Sequence, residues 1–392
     1  MCSTRSRCST WCAFTIASGQ SVGMRRLSTR YTSARPITRP ICSTGSRRRR
    51  ILRAAATARN PSRARGGSIA SVTRVAAVDL GTNSTRLLVA DVEDGDIQDV
   101  VRETRVTRLG EGVDARGKLL PLPIARVRNV LTDFRRTIET LGAERTLAIA
   151  TSAIRDADNG ESFLGEIEWS YGFATRLLTG HDEALLTFRG VTSDRRVADR
   201  TVIVDLGGGS TELVAADEDG VRWHDSLDMG SVRLTERFLH SDPPTGSELD
   251  ACANAVRALL AERVPDGVRA AASTAIGVAG TITSVAALDL ELDDYDREQV
   301  HGHVLTLDAL ERQLERLASI PVEERRGIRP LDPERAPVIV AGVAIVREIV
   351  DFLGLDAIEV SERDILDGAA LAALDLPESE EGAAPPGAYT CC

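Results

Sequence analysis

Asp205-Leu206-Gly207-Gly208-Gly209-Ser210-Thr211-Glu212 is the stretch on which the reading of this chain turns. The apolar run Thr201–Leu206 (TVIVDL) leads into it and Glu212–Ala216 leads away. Both flanks have the composition of strands, and the glycines between them demand a turn. Successive glycines also bring backbone N–H groups close to an anion with no Cβ in the way. Ser210 and Thr211 add hydroxyl donors. Asp205 and Glu212 stand at facing strand ends, where a carboxylate can aim at a metal ion or a water. The plain alternative is a flexible hairpin tip without chemistry.

A sister stretch weighs against that alternative. Asp79-Leu80-Gly81-Thr82-Asn83-Ser84 lies 126 residues upstream, between Val75–Leu80 (VAAVDL) and Thr85–Val92 (TRLLVADV), and Arg86 follows it. It offers one carboxylate, one glycine and three polar side chains suited to phosphate oxygens. A strand–tip–strand unit repeated at this spacing indicates a duplicated domain. Two such tips facing across a cleft could clamp adjacent phosphates, and phosphoryl transfer depends mainly on positioning and charge stabilisation.

Around these units the pattern alternates. A further strand is expected over Val100–Leu109, and a helix over Leu122–Leu141, with Val127, Val130, Leu131, Phe134 and Ile138 on one side. A strand at Thr146–Ala150, a helix from Asn159 to Trp169, a strand at Ala174–Leu178 and a helix at Asp182–Val191 complete the first half. The second half is more helical: Ser231–Leu239, Ser247–Val264, Ile282–Leu288, Leu307–Ser319 and Pro337–Leu353, with a strand at Ala275–Ala279. The class is therefore α/β with mixed sheets. The expected organisation is a basic extension over 1–71, one domain over 72–197, a second over 198–376 whose last helix packs back on the first, and a disordered tail over 377–392.

Composition bounds the partners. The 392 residues are 43% hydrophobic and 27% charged, values of a globular protein, and no apolar stretch approaches membrane-helix length. The net charge of −10 is unevenly spread. The first 70 residues hold 15 arginines and no acidic residue, which leaves 33 of the 48 basic residues against all 58 acidic ones, a charge of −25. A body that acidic argues against nucleic-acid binding. Lys118 is the single lysine, a bias of GC-rich bacterial coding rather than of chemistry. Of the 7 cysteines only Cys252 lies in the body, which points to a reducing, cytoplasmic compartment. The extension, with Arg47–Arg50, has the acid-free composition of a transit peptide and a poor match to a signal peptide. Its simplest reading is an over-extended reading frame whose natural start is Val72.

The order DLGTNS, ATSAIRDA (Ala150–Ala157), GHDEA (Gly180–Ala184), VDLGGGSTEL (Val204–Leu213), GVAGTITS (Gly277–Ser284) and SERDILDGAAL (Ser361–Leu371) resembles the exopolyphosphatase / guanosine-pentaphosphate phosphohydrolase family, in its short actinobacterial form. The resemblance spans about Arg74 to Leu374. It implies two related actin-like (ribonuclease H-like) domains with an interdomain cleft, and Mg²⁺-dependent hydrolysis of phosphoanhydride bonds in inorganic polyphosphate or guanosine pentaphosphate. It also implies a homodimer as one assembly open to the chain.

By the same resemblance the water-activating base is Glu183, 22 residues before Asp205, in a segment where the commoner pair of two Glu is here Asp182-Glu183 and His181 is an ordinary variation. Asp182 is its nearest competitor, and a helix-starting Glu that favours the N-terminal dipole is the alternative without chemistry. Arg155 stands where the family places a phosphate-binding Arg; a surface pair with Asp156 or Asp158 is the alternative. Arg86 is a further candidate for phosphate. Gly280 and Thr281 open a helix whose N–H groups can hold a phosphate, or else are small for packing. Asp79, Asp205 and Glu212 are the candidate Mg²⁺ ligands, with Glu212 also placed in catalysis, since Mg²⁺ prefers oxygen. His301 and His303 read as structural. A superfamily kinase and a polyphosphate or nucleotide sensor without turnover are the competing functions.

Overall fold

The computed structural model describes residues 72–377, all within one compact unit. The basic extension and nearly all of the tail lie outside the described residues. The first half runs β1 (Thr73–Leu80), β2 (Ser84–Glu93), β3 (Asp96–Val106), α1 (Val113–Arg116), α2 (Pro121–Leu141), β4 (Arg145–Ala150), α3 (Ser152–Arg155), α4 (Gly160–Tyr171), β5 (Ala174–Leu177) and α5 (Gly180–Val191). The second runs β6 (Thr201–Leu206), β7 (Thr211–Asp217), β8 (Gly220–Leu227), α6 (Ser231–Phe238), α7 (Gly246–Arg263), α8 (Asp266–Ala271), β9 (Thr274–Val278), α9 (Ala279–Asp289), α10 (Arg297–Val300), β10 (Val304–Thr306), α11 (Leu307–Ala318), α12 (Val322–Arg325), α13 (Ile339–Phe352), β11 (Ala357–Val360) and α14 (Ile365–Ala373).

The strands form two mixed sheets. The first has the order β3-β2-β1-β4-β5 and the second β10-β11-β9-β6-β7-β8. In each, the first strand pairs antiparallel with the second and parallel with the fourth. Matching β1 through β5 with β6, β7, β8, β9 and β11 gives the same arrangement twice, so the duplication read from the two glycine tips extends to whole sheets.

Four strands differ from expectation: β3 is displaced, and β8, β10 and β11 were not foreseen, the last two being only 3 and 4 residues long. β3 begins at Asp96 rather than Val100, because Asp94 and Gly95 take positive φ in a tight turn and pairing with β2 starts at once, Glu93 facing Asp96. Its first residues are polar and mostly exposed, so no apolar period marks them. The edge strand β8 has no counterpart in the sequence reading, because VRWHDS is half-buried except at the exposed Arg222 and shows no clean alternation.

Helices cover both faces of each sheet. α2 and α4 pack on one face of the first sheet through Leu131, Phe134 and Ile167, and α14 covers the other over Val75, Leu88 and Ile149. On the second sheet α7, α9, α11 and α13 fill one face, and α5 covers the other with Ala184 and Val191. Sequence position and spatial position are therefore exchanged. α5 ends the first half yet covers the second sheet, while α14 ends the second half yet covers the first. The two helices meet where they cross. A Cβ on Gly190 of α5 would stand 1.8 Å from the Asp364 carbonyl oxygen, and one on Gly368 of α14 1.9 Å from that of Leu186. Only glycine at both positions allows this backbone contact.

Forcing a methyl group into that crossing should destabilise the protein by about 1–3 kcal/mol, the usual range for overpacking. Urea denaturation of Gly190→Ala and Gly368→Ala measures it. Wild-type stability in both variants would show that the crossing is looser than described.

Candidate active site

Both glycine tips close on themselves and then on each other. Gly81 N–H donates to the Ser84 carbonyl at 3.0 Å, and Gly207 N–H to that of Ser210 at 3.0 Å. The start of α6 anchors the second tip: Ser231 N–H donates to Gly207 O at 3.0 Å, and Val232 N–H to Gly208 O at 2.9 Å. A Cβ on Gly208 would lie 3.1 Å from Asn83 Cβ, and one on Gly209 only 2.4 Å from Ser152 Oγ. The glycines thus let the tips touch across the cleft. Among the described residues, the N–H groups of Thr82, Asn83 and Gly208 donate to no protein acceptor. Unpaired backbone donors gathered at one place form an anion-binding nest.

The sister hairpins carry opposite electrostatics. In the first, Asp79 faces Arg86 across the ladder, and Arg86 Nε donates to Asp79 Oδ2 at 2.8 Å. Arg86 also pairs with Asp364, which caps α14 by accepting from Leu366 N–H at 2.8 Å. In the second, Asp205 faces Glu212, two carboxylates where the sister has an ion pair. Thr187 donates to Asp205 at 2.8 Å and Ser226 to Glu212 at 2.8 Å. Burial, then the Glu212 and Asp364 charges, push the Asp205 carboxyl up to about 8. Burial raises Glu212 as well, against the Ser226 and Ser210 hydroxyls, and raises Asp79 against the Arg86 charge.

Glu183 enters from the first turn of α5. Thr179 caps that helix in a capping box with Asp182: Asp182 N–H donates to Thr179 Oγ1 at 3.2 Å, and Thr179 N–H to Asp182 Oδ2 at 3.1 Å. The cap occupies Asp182 and holds its carboxyl below the usual range through the Thr179 hydroxyl. Glu183, the next residue, turns inward and is 3% exposed. Its side chain pairs with Arg155. Burial, reinforced by Glu212 and opposed by Arg155, raises its carboxyl well above the ordinary range.

These residues line one chamber of about 80 Å³: Asp79, Gly81, Thr82, Asn83, Ser84, Arg86, Glu183, Asp205, Gly207, Gly208, Ser210, Glu212, Gly280 and Thr281 among them. A neighbouring cavity of about 430 Å³ shares Arg86, Ala279, Gly280 and Arg335 with it.

Three expected contacts are not made. The Thr211 hydroxyl donates to the Met229 carbonyl, because strand alternation turns Thr211 away from the face that presents Ser210 and Glu212. Gly209 borders a small separate cavity with Ser152 and Arg233. Arg155 does not line the chamber; it donates to Glu183 and, at 3.0 Å, to the Leu178 carbonyl. Nor do Asp79, Asp205 and Glu212 form a ready-made ligand triad, since no three acidic, His or Cys groups among the described residues converge to hold a metal ion. His301 accepts from Glu362 N–H at 3.0 Å and His303 pairs with Asp289 at 3.0 Å, both outside the chamber.

Thr151, Ser152, Ser231 and Arg335 line the chamber as well and were not foreseen. Ser152 lies inside the ATSAIRDA motif and is hydrogen-bonded to Thr82 at 2.9 Å, so its signal was present. Arg335 had none: it follows a non-periodic loop. Its guanidinium lies over Gly280, where a Cβ would be 2.1 Å from Nη1, and among the described residues it makes no side-chain hydrogen bond or ion pair.

Raised carboxylates leave a mark on stability. Unfolded, Asp205 ionises near pH 4; folded, near 8. The folded state then binds more protons between those values, and stability falls as pH rises across them. Metal-free Asp205→Asn should show a shallower fall between pH 5 and 8 than wild type in urea melts. Parallel curves would contradict the burial of an ionisable Asp205.

The model of the Ppx/GppA phosphatase family matches residues 88–375. Exopolyphosphatase 2 of Mycobacterium tuberculosis is 42% identical over 320 residues, covering 77% of this chain and 98% of that protein. A guanosine-5'-triphosphate,3'-diphosphate pyrophosphatase of Photobacterium profundum is 25% identical over 293 residues, covering 75% of this chain and 58% of that protein. The crystal structure of the Aquifex aeolicus Ppx/GppA family member superposes with a TM-score of 0.67 at 32% identity, covering 79% of this chain and all of that one.

Proposed function

The chain belongs to the Ppx/GppA phosphatase family and is a phosphoanhydride hydrolase, and on that footing we propose that it is an exopolyphosphatase. Water attacks the terminal phosphorus of inorganic polyphosphate, and the products are orthophosphate and a chain one phosphate shorter. The observation that carries this reading is Glu183, a buried carboxylate of raised proton affinity in the wall of the chamber that both glycine tips line.

The unpaired N–H groups of Thr82, Asn83 and Gly208, with the Ser84 and Ser210 hydroxyls, hold the terminal phosphate oxygens. The rest of the polyphosphate leaves past Gly280, Thr281 and Arg335 into the wider cavity. Glu183 takes the proton of the attacking water, and the Glu212 charge beside it strengthens it as a base. Without substrate, Arg155 is spent on Glu183. An incoming phosphate offers Arg155 a second acceptor and frees the carboxylate for water.

Mg²⁺ fits this donor set in a limited way. Asp79 Oδ1 is buried without a hydrogen-bond partner, and Asp205 lines the same chamber. Mg²⁺ characteristically takes one or two carboxylates and completes its shell with phosphate oxygens and water. Asp79 and Asp205 would hold it, and when bound it would neutralise charge on the phosphate oxygens. A cytoplasmic setting accords with the single, buried body thiol, Cys252.

Phosphate release from polyphosphate, guanosine pentaphosphate and ATP, compared with Mg²⁺ present, tests the substrate assignment. Polyphosphate should be favoured; a preference for the pentaphosphate would move the protein to nucleotide turnover. Glu183→Gln should lower kcat by about 10²–10⁴-fold, the usual worth of a general base, and full activity would remove Glu183 from that role. Arg155→Ala removes the charge that holds the Glu183 proton affinity down, so the acid limb of the kcat/KM profile should move to higher pH. An unmoved limb would dissociate Arg155 from the base.

A further inference from the structure

The seam between α5 and β8 continues outward from the chamber. Gly180 opens α5 against Ser226, where a Cβ would lie 2.7 Å from Ser226 Cβ. One residue on, His181 meets His224, two residues before Ser226 on the same face of β8. Their nitrogens, Nδ1 and Nε2, are 2.7 Å apart and their ring centroids 4.6 Å apart. His181 is exposed and His224 half-buried.

From this geometry we infer that His181 and His224 form a site for a borderline divalent cation such as Zn²⁺, separate from the oxygen donors of the chamber. Imidazole nitrogen suits Zn²⁺, whereas Mg²⁺ and Ca²⁺ select carboxylate, carbonyl and water oxygen. Zn–N bonds of about 2.0–2.1 Å in tetrahedral geometry set two ligand nitrogens about 3.3 Å apart. The pair needs to open by only about 0.6 Å, and both rings border solvent from which water can complete the shell. Without the cation one imidazole donates to the other; to ligate, the donor ring passes that proton to its other nitrogen through solvent and both rings turn so that their lone pairs meet at the cation.

The remaining histidines are built differently. His301 contacts Arg195 and accepts from Glu362 N–H, His303 pairs with Asp289, and the His240 ring hydrogen-bonds to no side chain among the described residues. The neighbouring acids are engaged: Asp182 in the α5 cap, and Asp225 with Arg263 at 2.7 and 2.9 Å. A cation on this pair would tie the helix that carries Glu183 to the strand whose Ser226 holds Glu212.

The test is calorimetric titration of Zn²⁺ into the full chain in Mg²⁺ buffer without substrate, after treatment of the folded protein with an alkylating agent, with circular dichroism to verify folding. One Zn²⁺ per chain is expected, at least about tenfold weaker in His181→Asn and in His224→Asn alike, and unchanged in His303→Asn. Wild type should also give a Co²⁺ visible spectrum of nitrogen ligation that both variants lose. No binding to wild type, or binding unaffected in either variant, would reduce the pair to a hydrogen-bonded surface contact.

Discussion

The crossing of α5 over α14 is the constraint on which the rest of the molecule depends. Gly190 and Gly368 bring the two backbones into contact, and each helix begins at the chamber. α5 delivers Glu183 from behind the Thr179 cap. α14 begins at Asp364, which caps its own helix and holds Arg86. Because each helix covers the sheet of the other half, the crossing locks both sheets to one arrangement of carboxylates. A shift of one helix along the other would carry the base away from the phosphate tips, and misplacements of that order are costly to catalysis.

Duplication supplied two equivalent hairpins, and divergence gave them different work. The first keeps an ion pair between Asp79 and Arg86 at the ladder position where the second sets Asp205 against Glu212. Like charges facing across a ladder are unfavourable, and here they are buried beside a third carboxylate, Glu183. The fold tolerates the arrangement by raising the proton affinity of its carboxylates: Asp205 up to about 8, Glu183 above the usual range. The same repulsion makes Glu183 a competent base near neutral pH. Stability is given up where chemistry is wanted.

Much of this was legible in the sequence, for identifiable reasons. Both tips announced themselves because glycines stood between apolar runs, and their spacing revealed the duplicated sheet. The choice between Asp182 and Glu183 follows from capping: three residues after Thr179 is the capping position, and its successor is free to turn inward. Thr211 was misread although alternation along β7 decides it, Ser210 and Glu212 facing one way and Thr211 the other. Arg155 was expected on phosphate and instead holds Glu183, a contact between segments 28 residues apart that no local pattern encodes. Arg335 reaches the chamber from a loop more than a hundred residues beyond either hairpin. β8, which carries Ser226 and His224, had too mixed a burial to be seen. Of the two helices that exchange sheets, α14 was expected to pack back on the first half, whereas nothing in the order of elements showed that α5 covers the second sheet.

The central claim is that a water deprotonated at Glu183 attacks the terminal phosphorus of polyphosphate. Hydrolysis in ¹⁸O-labelled water, with the label located by mass spectrometry, tests it most directly. The account predicts one solvent oxygen in each released orthophosphate and none in the shortened chain. Label in the remaining chain would mean attack at the penultimate phosphorus, and would contradict the placement of the terminal phosphate against the two glycine tips.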